Sequence, residues 1–208
     1  MAVRRLIVRS VLAACGAAAL LALAGCERAG TPAAFKAIDI TGVSYASDFA
    51  LPDAQGQVRR LADFHGRLVV VFFGFTQCPD VCPTTMQELA EVKRALGADG
   101  DKVVGVFITV DPERDTPEVL GPYVQAFSPD FVALRGSLEQ TEALAKQFKV
   151  FFRKVPGKPG ADGQPMGYTM DHTAGSYVFD TQGRIRLFTR YGTGGQALLH
   201  DLKLLLGE

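Results

Sequence analysis

Two uninterrupted apolar runs constrain the fold of this 208-residue chain more than any other feature. Residues 68–75 and 103–110 are dominated by β-branched and aromatic residues, which is typical of strands buried on both faces of a sheet. Between them, residues 83–96 carry apolar side chains at helical spacing. Together the three segments predict a β-α-β unit with a right-handed crossover. We therefore expect an α/β domain in which helices cover a mostly central sheet.

The elements predicted further along the chain narrow the fold. Residues 115–118 (Asp-Thr-Pro-Glu) predict a helix start capped by Asp115 or Thr116. The cap is the favoured role of Asp115, and a carboxylate that faces the metal site or a partner is the alternative. Three further elements are predicted: a helix over 138–149 capped by Ser137, a hairpin formed by 176–180 and 184–190, and a last helix over 195–206. A strand running into a cysteine motif, then a β-α-β unit, a hairpin and a helix, is the order of a thioredoxin-like fold with a central mixed sheet flanked by helices.

The four cysteines divide into two pairs with different expected fates. Cys15 lies in the apolar stretch 11–24 behind a basic start, which predicts a secretory signal, and the stretch is shorter than the roughly 20 residues of a spanning helix. It ends in Leu-Ala-Gly-Cys26, which resembles the lipobox of bacterial lipoproteins. The resemblance implies that 1–25 is a lipoprotein signal peptide and that Cys26 carries the lipid. An uncleaved anchor is the alternative, and either way the domain is exported and membrane-tethered.

Composition sets the expected domain organisation. Residues 26–44 are small, polar and weakly patterned, so we interpret them as the lipidated N-terminus and a flexible tether. Residues 45–208 are enough for one well-cored domain and too few for two. Lysine plus arginine equals aspartate plus glutamate at 22 each, and no basic stripe indicates nucleic-acid binding.

The second pair of cysteines is expected to carry the chemistry. Cys78 and Cys82 follow the first core strand at a predicted helix start, where the partial positive charge of the helix lowers the pKa of a thiol. Three intervening residues place the sulfurs about one helical turn apart on one face, which suits two thiolates converging on one ion. The spacing does not exclude a disulfide. Two thiolates favour Cu(I), a further imidazole gives a set that also holds Cu(II), and zinc normally requires a fourth ligand.

The imidazole has three candidates, because the chain contains three histidines. His65 lies in a turn and is predicted to be solvated. His200 lies among leucines on the last helix and is predicted to lie at the surface or to pack at the edge of the core. His172 directly precedes the predicted hairpin, at the position where thioredoxins have a cis-proline opposite the dithiol. We therefore predict His172 as the third ligand, with Asp171 orienting its ring.

Two loops carry further predictions. Asp111 follows the second core strand, and the sequence leaves open whether its carboxylate faces the metal site, a partner or neither. Residues 158–166 are rich in glycine and proline and are interpreted as a flexible insertion just before His172. We hypothesise that this segment lets His172 approach and leave during metal capture and release.

Four segments in order resemble the Sco/SenC family over residues 45–206. They are 72–83 (Phe-Phe-Gly-Phe-Thr-Gln-Cys-Pro-Asp-Val-Cys-Pro), 110–117 (Val-Asp-Pro-Glu-Arg-Asp-Thr-Pro), 168–180 with Asp-His-Thr at 171–173, and the turn 180–183. The resemblance implies a membrane-anchored, periplasmic copper chaperone that delivers copper to the CuA site of cytochrome c oxidase. Its copper ligands correspond to Cys78, Cys82 and His172. Many relatives are anchored by an uncleaved N-terminal helix, whereas this chain is expected to use lipid, with the cytoplasmic membrane favoured.

Two rival functions use the same dithiol. A thiol-disulfide reductase would keep the CuA cysteines reduced and would not require His172. A peroxiredoxin-like peroxidase would carry Pro-x-x-x-Thr-x-x-Cys, but Thr76 lies two residues before Cys78 rather than three, and Val71 occupies the place of the proline. Peroxidase is therefore disfavoured. Copper binding needs both thiols reduced in an oxidising compartment, which implies a separate thiol reductant protein as a partner.

Overall fold

The computed structural model describes residues 34–160 and 164–208. The predicted signal peptide, Cys15 and the lipidation site Cys26 lie outside these ranges. Within them, no helix combines the length and the apolar character needed to cross a membrane.

The described residues form ten strands and four α-helices. The strands are β1 (Ile38–Asp39), β2 (Ala50–Pro52), β3 (Val58–Arg60), β4 (Leu68–Gly74), β5 (Val103–Thr109), β6 (Val132–Leu134), β7 (Phe152–Pro156), β8 (Tyr168–His172), β9 (Gly175–Phe179) and β10 (Ile185–Arg190). The helices are α1 (Val81–Ala95), α2 (Pro117–Gln125), α3 (Leu138–Phe148) and α4 (Gly195–Leu206), with short 3₁₀ helices at Leu61–Phe64 and Gly97–Lys102.

Six strands form a mixed central sheet in the order β1-β10-β9-β4-β5-β6. Strands β4, β5 and β6 are parallel, and β9 runs antiparallel to β4. Every residue of β4 and β5 is buried, as their continuous apolar character predicts for strands covered on both faces. The α/β, thioredoxin-like fold expected from the sequence is confirmed.

Strand directions bring three parts of the chain to one edge of the sheet. β4 and β5 are parallel and end together at Gly74 and Thr109. Because β9 is antiparallel to β4, it begins where β4 ends, with Ser176 opposite Phe72. The loop after β4, the loop after β5 and the segment before β9 therefore meet at this carboxyl edge, which is where open α/β sheets bind ligands.

The folded domain begins earlier than the tether prediction allows. The described part of the predicted tether includes β1, which pairs with β10 at the sheet edge. The buried Asp201 carboxylate accepts hydrogen bonds from the backbone N–H groups of Lys36 and Ala37 at 2.8 and 2.7 Å. These contacts hold residues 36–39 against the domain. They were not predicted, because residues 36–39 show no clear apolar pattern and their partners are distant in the sequence.

The β7–β8 hairpin lies outside the central sheet and was not predicted. The two strands pair antiparallel from Phe152 opposite His172 to Pro156 opposite Tyr168. The described residues of the predicted insertion 158–166 continue this hairpin, because the Gly157 N–H donates to the Gly167 carbonyl and the Met166 N–H to the Lys158 carbonyl. His172 is the last residue of β8, so the hairpin positions it.

Candidate metal centre

The two cysteines and His172 converge at the carboxyl edge of the sheet. Their ligand atoms lie within 4.8 Å of one another, and Cys82 Sγ is 3.6 Å from His172 Nε2. Cys82 is the second residue of α1 and is fully buried, while Cys78 in the preceding loop is half-buried. The Cys82 backbone N–H at the start of α1 donates to Cys78 Sγ at 3.3 Å. Both cysteines are free thiols, and the three groups form a compact donor set of two sulfurs and one nitrogen.

The imidazole of His172 is held with Nε2 facing the thiols. Its Nδ1 lies 3.1 Å from the Thr173 carbonyl oxygen, and because a carbonyl only accepts, Nδ1 carries the proton. The neutral ring then has its lone pair on Nε2, which is the form that binds a metal. Phe72 and Phe75 pack edge-on against the ring, with centroids 5.9 and 5.8 Å away. The ring is thus oriented and its tautomer fixed without a metal.

Asp171 does not orient His172, contrary to the prediction. Its exposed carboxylate pairs with Arg153 at 3.2 Å, and the Thr173 carbonyl takes its expected place at Nδ1. Successive side chains of a strand point to opposite faces, so a residue next to His172 in β8 faces away from the site.

The two thiols differ in their readiness to ionise. The hydrogen bond that Cys82 donates, reinforced by backbone N–H groups, lowers the pKa of Cys78 to about 5. The same hydrogen bond, together with burial, raises the pKa of Cys82 above its usual range. At neutral pH the site therefore holds one half-buried thiolate, on Cys78, and one buried thiol, on Cys82. A metal that uses both sulfurs must displace the Cys82 proton.

Gly74 makes room for the buried thiol. A Cβ at this last position of β4 would lie 2.9 Å from Cys82 Sγ, 2.9 Å from Phe107 and 2.7 Å from Phe72. These distances are below van der Waals contact, so any side chain here displaces the sulfur or the rings. The sequence shows Gly74 inside an apolar run, but only the fold reveals what approaches it.

We expect Gly74→Ala to weaken copper binding as well as stability. Crowding in a packed core costs about 1–3 kcal/mol of unfolding free energy. Gly105→Ala is the matched control, because its Cβ on the neighbouring strand would meet Leu89 at 2.9 Å and Phe131 at 3.0 Å, away from the thiols. Thermal unfolding should show a loss for both variants, and copper titration a loss of affinity for Gly74→Ala only. Equal copper affinities of the two variants would contradict the assignment.

Asp115 is not the cap of α2 that the sequence predicts. The N-cap is Thr116, and Asp115 is fully buried. Its carboxylate accepts hydrogen bonds from the hydroxyls of Thr76 and Thr109, both at 2.6 Å, and from the Thr76 N–H. Burial raises the pKa of this carboxyl, while the threonine hydrogen bonds oppose the shift. Asp115 thereby fastens the start of the cysteine loop to the end of β5.

The remaining predicted residues lie around the site or away from it. Asp111 lies in the loop after β5, is buried, and accepts hydrogen bonds from Arg114 and from the Tyr168 hydroxyl. It does not belong to the close Cys-Cys-His group. His65 is exposed, as expected. His200 is partly buried on α4, with Nδ1 2.8 Å from the Asp201 carboxylate. Arg114, which had no role assigned from the sequence, contacts both Gln77 in the dithiol loop and Tyr168 at the start of β8.

The fold and the site together define the class of this protein. It is a thioredoxin-like domain in which a Cys-x-x-x-Cys loop faces a histidine. The family model SCO1/SenC matches residues 39–207. The chain is 37% identical to an SCO2-like protein of Rickettsia felis over 142 residues. This matched segment covers 68% of this chain and 67% of the relative. The chain therefore belongs to the SCO1/SenC family.

Solved structures of relatives share the fold. ScoI of Bradyrhizobium japonicum, determined with copper bound, is 39% identical and has a TM-score of 0.65, covering 75% of this chain and 96% of its own. The apo Sco1 protein of Thermus thermophilus is 35% identical with a TM-score of 0.70, covering 86% of this chain and all of its own.

Proposed function

We propose that the protein is a copper carrier that binds one copper ion through Cys78, Cys82 and His172. The observation that carries the proposal is the convergence of two sulfurs with the unprotonated Nε2 of His172. Two thiolates suit Cu(I), and the imidazole extends the set to Cu(II), so the residues present fit the ion. Three protein ligands leave the coordination open to a fourth group, which suits transfer by ligand exchange.

The recipient we propose is the CuA-bearing subunit of cytochrome c oxidase. The Sco family comprises cytochrome c oxidase assembly proteins, which supports this choice. Cys78 is the more accessible of the two sulfurs, so an incoming cysteine of the recipient can replace it first. The low pKa of Cys78 favours this exchange, because its sulfur can leave the copper ion as a free thiolate without taking up a proton.

A thiol-disulfide reductase is the second candidate, and the asymmetry of the thiols favours it. A half-exposed thiolate next to a buried thiol is the arrangement of an attacking and a resolving cysteine. Cys78 would attack a disulfide of the recipient and form a mixed disulfide with one of its cysteines. Cys82 would then attack Cys78, which releases the reduced recipient and leaves a Cys78–Cys82 disulfide. That cycle leaves the site oxidised and needs a separate thiol reductant protein to restore it.

One experiment separates the two functions. One portion of the reduced domain, from residue 35, is loaded with one equivalent of Cu(I) and a second portion with one equivalent of Cu(II), and both portions are mixed with a reduced, metal-free CuA domain. In parallel, the copper-free reduced domain is mixed with the same CuA domain in its disulfide form. The carrier proposal expects the CuA absorption spectrum to develop once copper of both oxidation states is supplied by this protein. Absence of copper transfer together with rapid disulfide reduction would establish the reductase instead.

We further propose that lipid on Cys26 holds the domain at the periplasmic face of the cytoplasmic membrane. The support is the Leu-Ala-Gly-Cys sequence that ends at Cys26. Mass spectrometry of the mature N-terminal peptide tests it, since a peptide that begins before Cys26, or one without a diacylglycerol, would contradict lipidation there.

A further inference from the structure

Arg114 contacts both of the segments that supply metal ligands. Its Nη1 donates to the Gln77 side-chain oxygen at 3.0 Å and to the Tyr168 carbonyl at 2.7 Å. Gln77 directly precedes Cys78 in the dithiol loop. Tyr168 is the first residue of β8, the strand that ends at His172. One guanidinium therefore joins the dithiol loop to the histidine hairpin.

A buried carboxylate holds Arg114 in this position. Asp111 is 1% exposed, and its Oδ2 accepts a hydrogen bond from Arg114 Nε while its Oδ1 accepts one from the Tyr168 hydroxyl at 2.8 Å. The guanidinium also lies over the Tyr168 ring, 3.7 Å from its centroid. Charged hydrogen bonds and a stacked planar cation are features that lysine cannot reproduce together.

This contact joins the β7–β8 hairpin to the loop after β5. It forms a separate two-stranded sheet, and a two-stranded hairpin is at best marginally stable by itself. A second ion pair joins Lys154 of β7 to Glu113, but both side chains are about half exposed, and exposed pairs contribute little. The contacts that Arg114 and the Tyr168 hydroxyl make with the buried Asp111 carboxylate are the stronger polar connection between the hairpin and the loop after β5.

We propose that Arg114 is a positioning residue that holds the His172 hairpin against the dithiol loop, so that the third ligand is in place before copper arrives. The proposal rests on the copper-carrier function and specifies how its site is assembled. Arg114 does not touch the ion itself. Its effect is exerted through Tyr168 on the hairpin and through Gln77 on the loop that carries Cys78.

The test is Arg114→Lys, first examined without metal by hydrogen–deuterium exchange. Loss of the guanidinium hydrogen bonds and of the stacking on Tyr168 should speed amide exchange in residues 168–172 by about tenfold, because a hydrogen bond to a charged group limits local opening. After addition of Cu(II), the thiolate charge-transfer absorption should weaken or shift, while Cu(I) binding by the two thiolates stays within about threefold of wild type. The metal-free readout reports on the hairpin whether or not copper is the cargo.

Asp130→Asn is the control for a general loss of stability. Asp130 pairs with Lys93 at 2.9 Å and with Arg67 at 2.6 Å, and Lys93 also bonds to the Val103 carbonyl at the start of β5, the opposite end of that strand from the site. This variant should lower the unfolding temperature without changing exchange in the hairpin or the Cu(II) spectrum. Tyr168→Phe, which removes only the hydroxyl bond to Asp111, should shift the same readouts in the same direction by a smaller amount.

Two results would overturn the proposal. One is wild-type exchange in residues 168–172 and a wild-type Cu(II) spectrum in both Arg114→Lys and Tyr168→Phe. The other is an equal change in Asp130→Asn. If the wild-type protein bound no copper while Arg114→Lys still loosened the hairpin, the carrier function would fail and the positioning of the hairpin by Arg114 would stand.

Discussion

Cys82→Ala is expected to abolish tight Cu(I) binding. The substitution removes one of two thiolates that the site offers to a soft ion, and His172 Nε2 loses its 3.6 Å neighbour. Structural metal sites gain roughly 3 kcal/mol or more per ligand, so the affinity should fall by about two orders of magnitude or more. Titration of the reduced protein with Cu(I) against a competing chelator measures the change, and Cys78→Ala should give a loss of the same order.

Thr84→Ala is the matched control for the cysteine variants. Thr84 lies in the same first turn of α1, and its hydroxyl bonds only weakly to Asp80 at 3.3 Å. Its removal should change helix stability slightly and leave copper affinity at the wild-type value. Retention of wild-type Cu(I) affinity in either cysteine variant would remove the basis for a two-sulfur site.

The central part of the fold was predictable because its signal is local. A continuous apolar run predicts a strand buried on both faces, and helical spacing after Cys82 predicts α1. The Ser137 cap is equally local, since its hydroxyl accepts from the Gln140 N–H and the Gln140 side chain accepts in return from the Ser137 N–H. These patterns are set by neighbours within one helical turn or one strand.

The supporting residues of the site were not predictable because their partners are distant in sequence. Asp115 precedes a proline and a glutamate, the pattern of a helix cap, yet its carboxylate bonds to Thr76, 39 residues away. Arg114 and Tyr168 are 54 residues apart and meet only when the hairpin folds over the loop after β5. A sequence pattern identifies such residues as polar, but tertiary contact decides whether they cap a helix or hold a site together.

The convergence of Cys78, Cys82 and His172 was predictable, and the alternation of side chains along a strand explains why the orientation of Asp171 was not. The spacing of the two cysteines and the position of His172 before the predicted hairpin placed the three groups together. In the structure their ligand atoms do lie together. The prediction that Asp171 orients the His172 ring rested on its position next to His172 in the sequence. Once β8 is known to be a strand, its alternation places Asp171 on the face opposite His172.

His172→Ala should separate copper carriage from disulfide reduction. Removal of the imidazole leaves two thiolates, which suffice for Cu(I), so Cu(I) affinity should fall by about tenfold or less, whereas Cu(II) binding and its thiolate charge-transfer absorption should be lost. Thiol-disulfide exchange requires only the two sulfurs, so disulfide reduction should continue.

His65→Ala supplies the control, because His65 is exposed and lies in the turn before β4, at the opposite end of that strand from the dithiol. It should bind both oxidation states of copper as the wild type does. If His172→Ala also bound both oxidation states like the wild type and still reduced the CuA disulfide, the imidazole would have no part in metal binding and the reductase would be the better account of the dithiol. Loss of Cu(II) with retained disulfide reduction would instead show one dithiol serving two chemistries, with His172 required for only one of them.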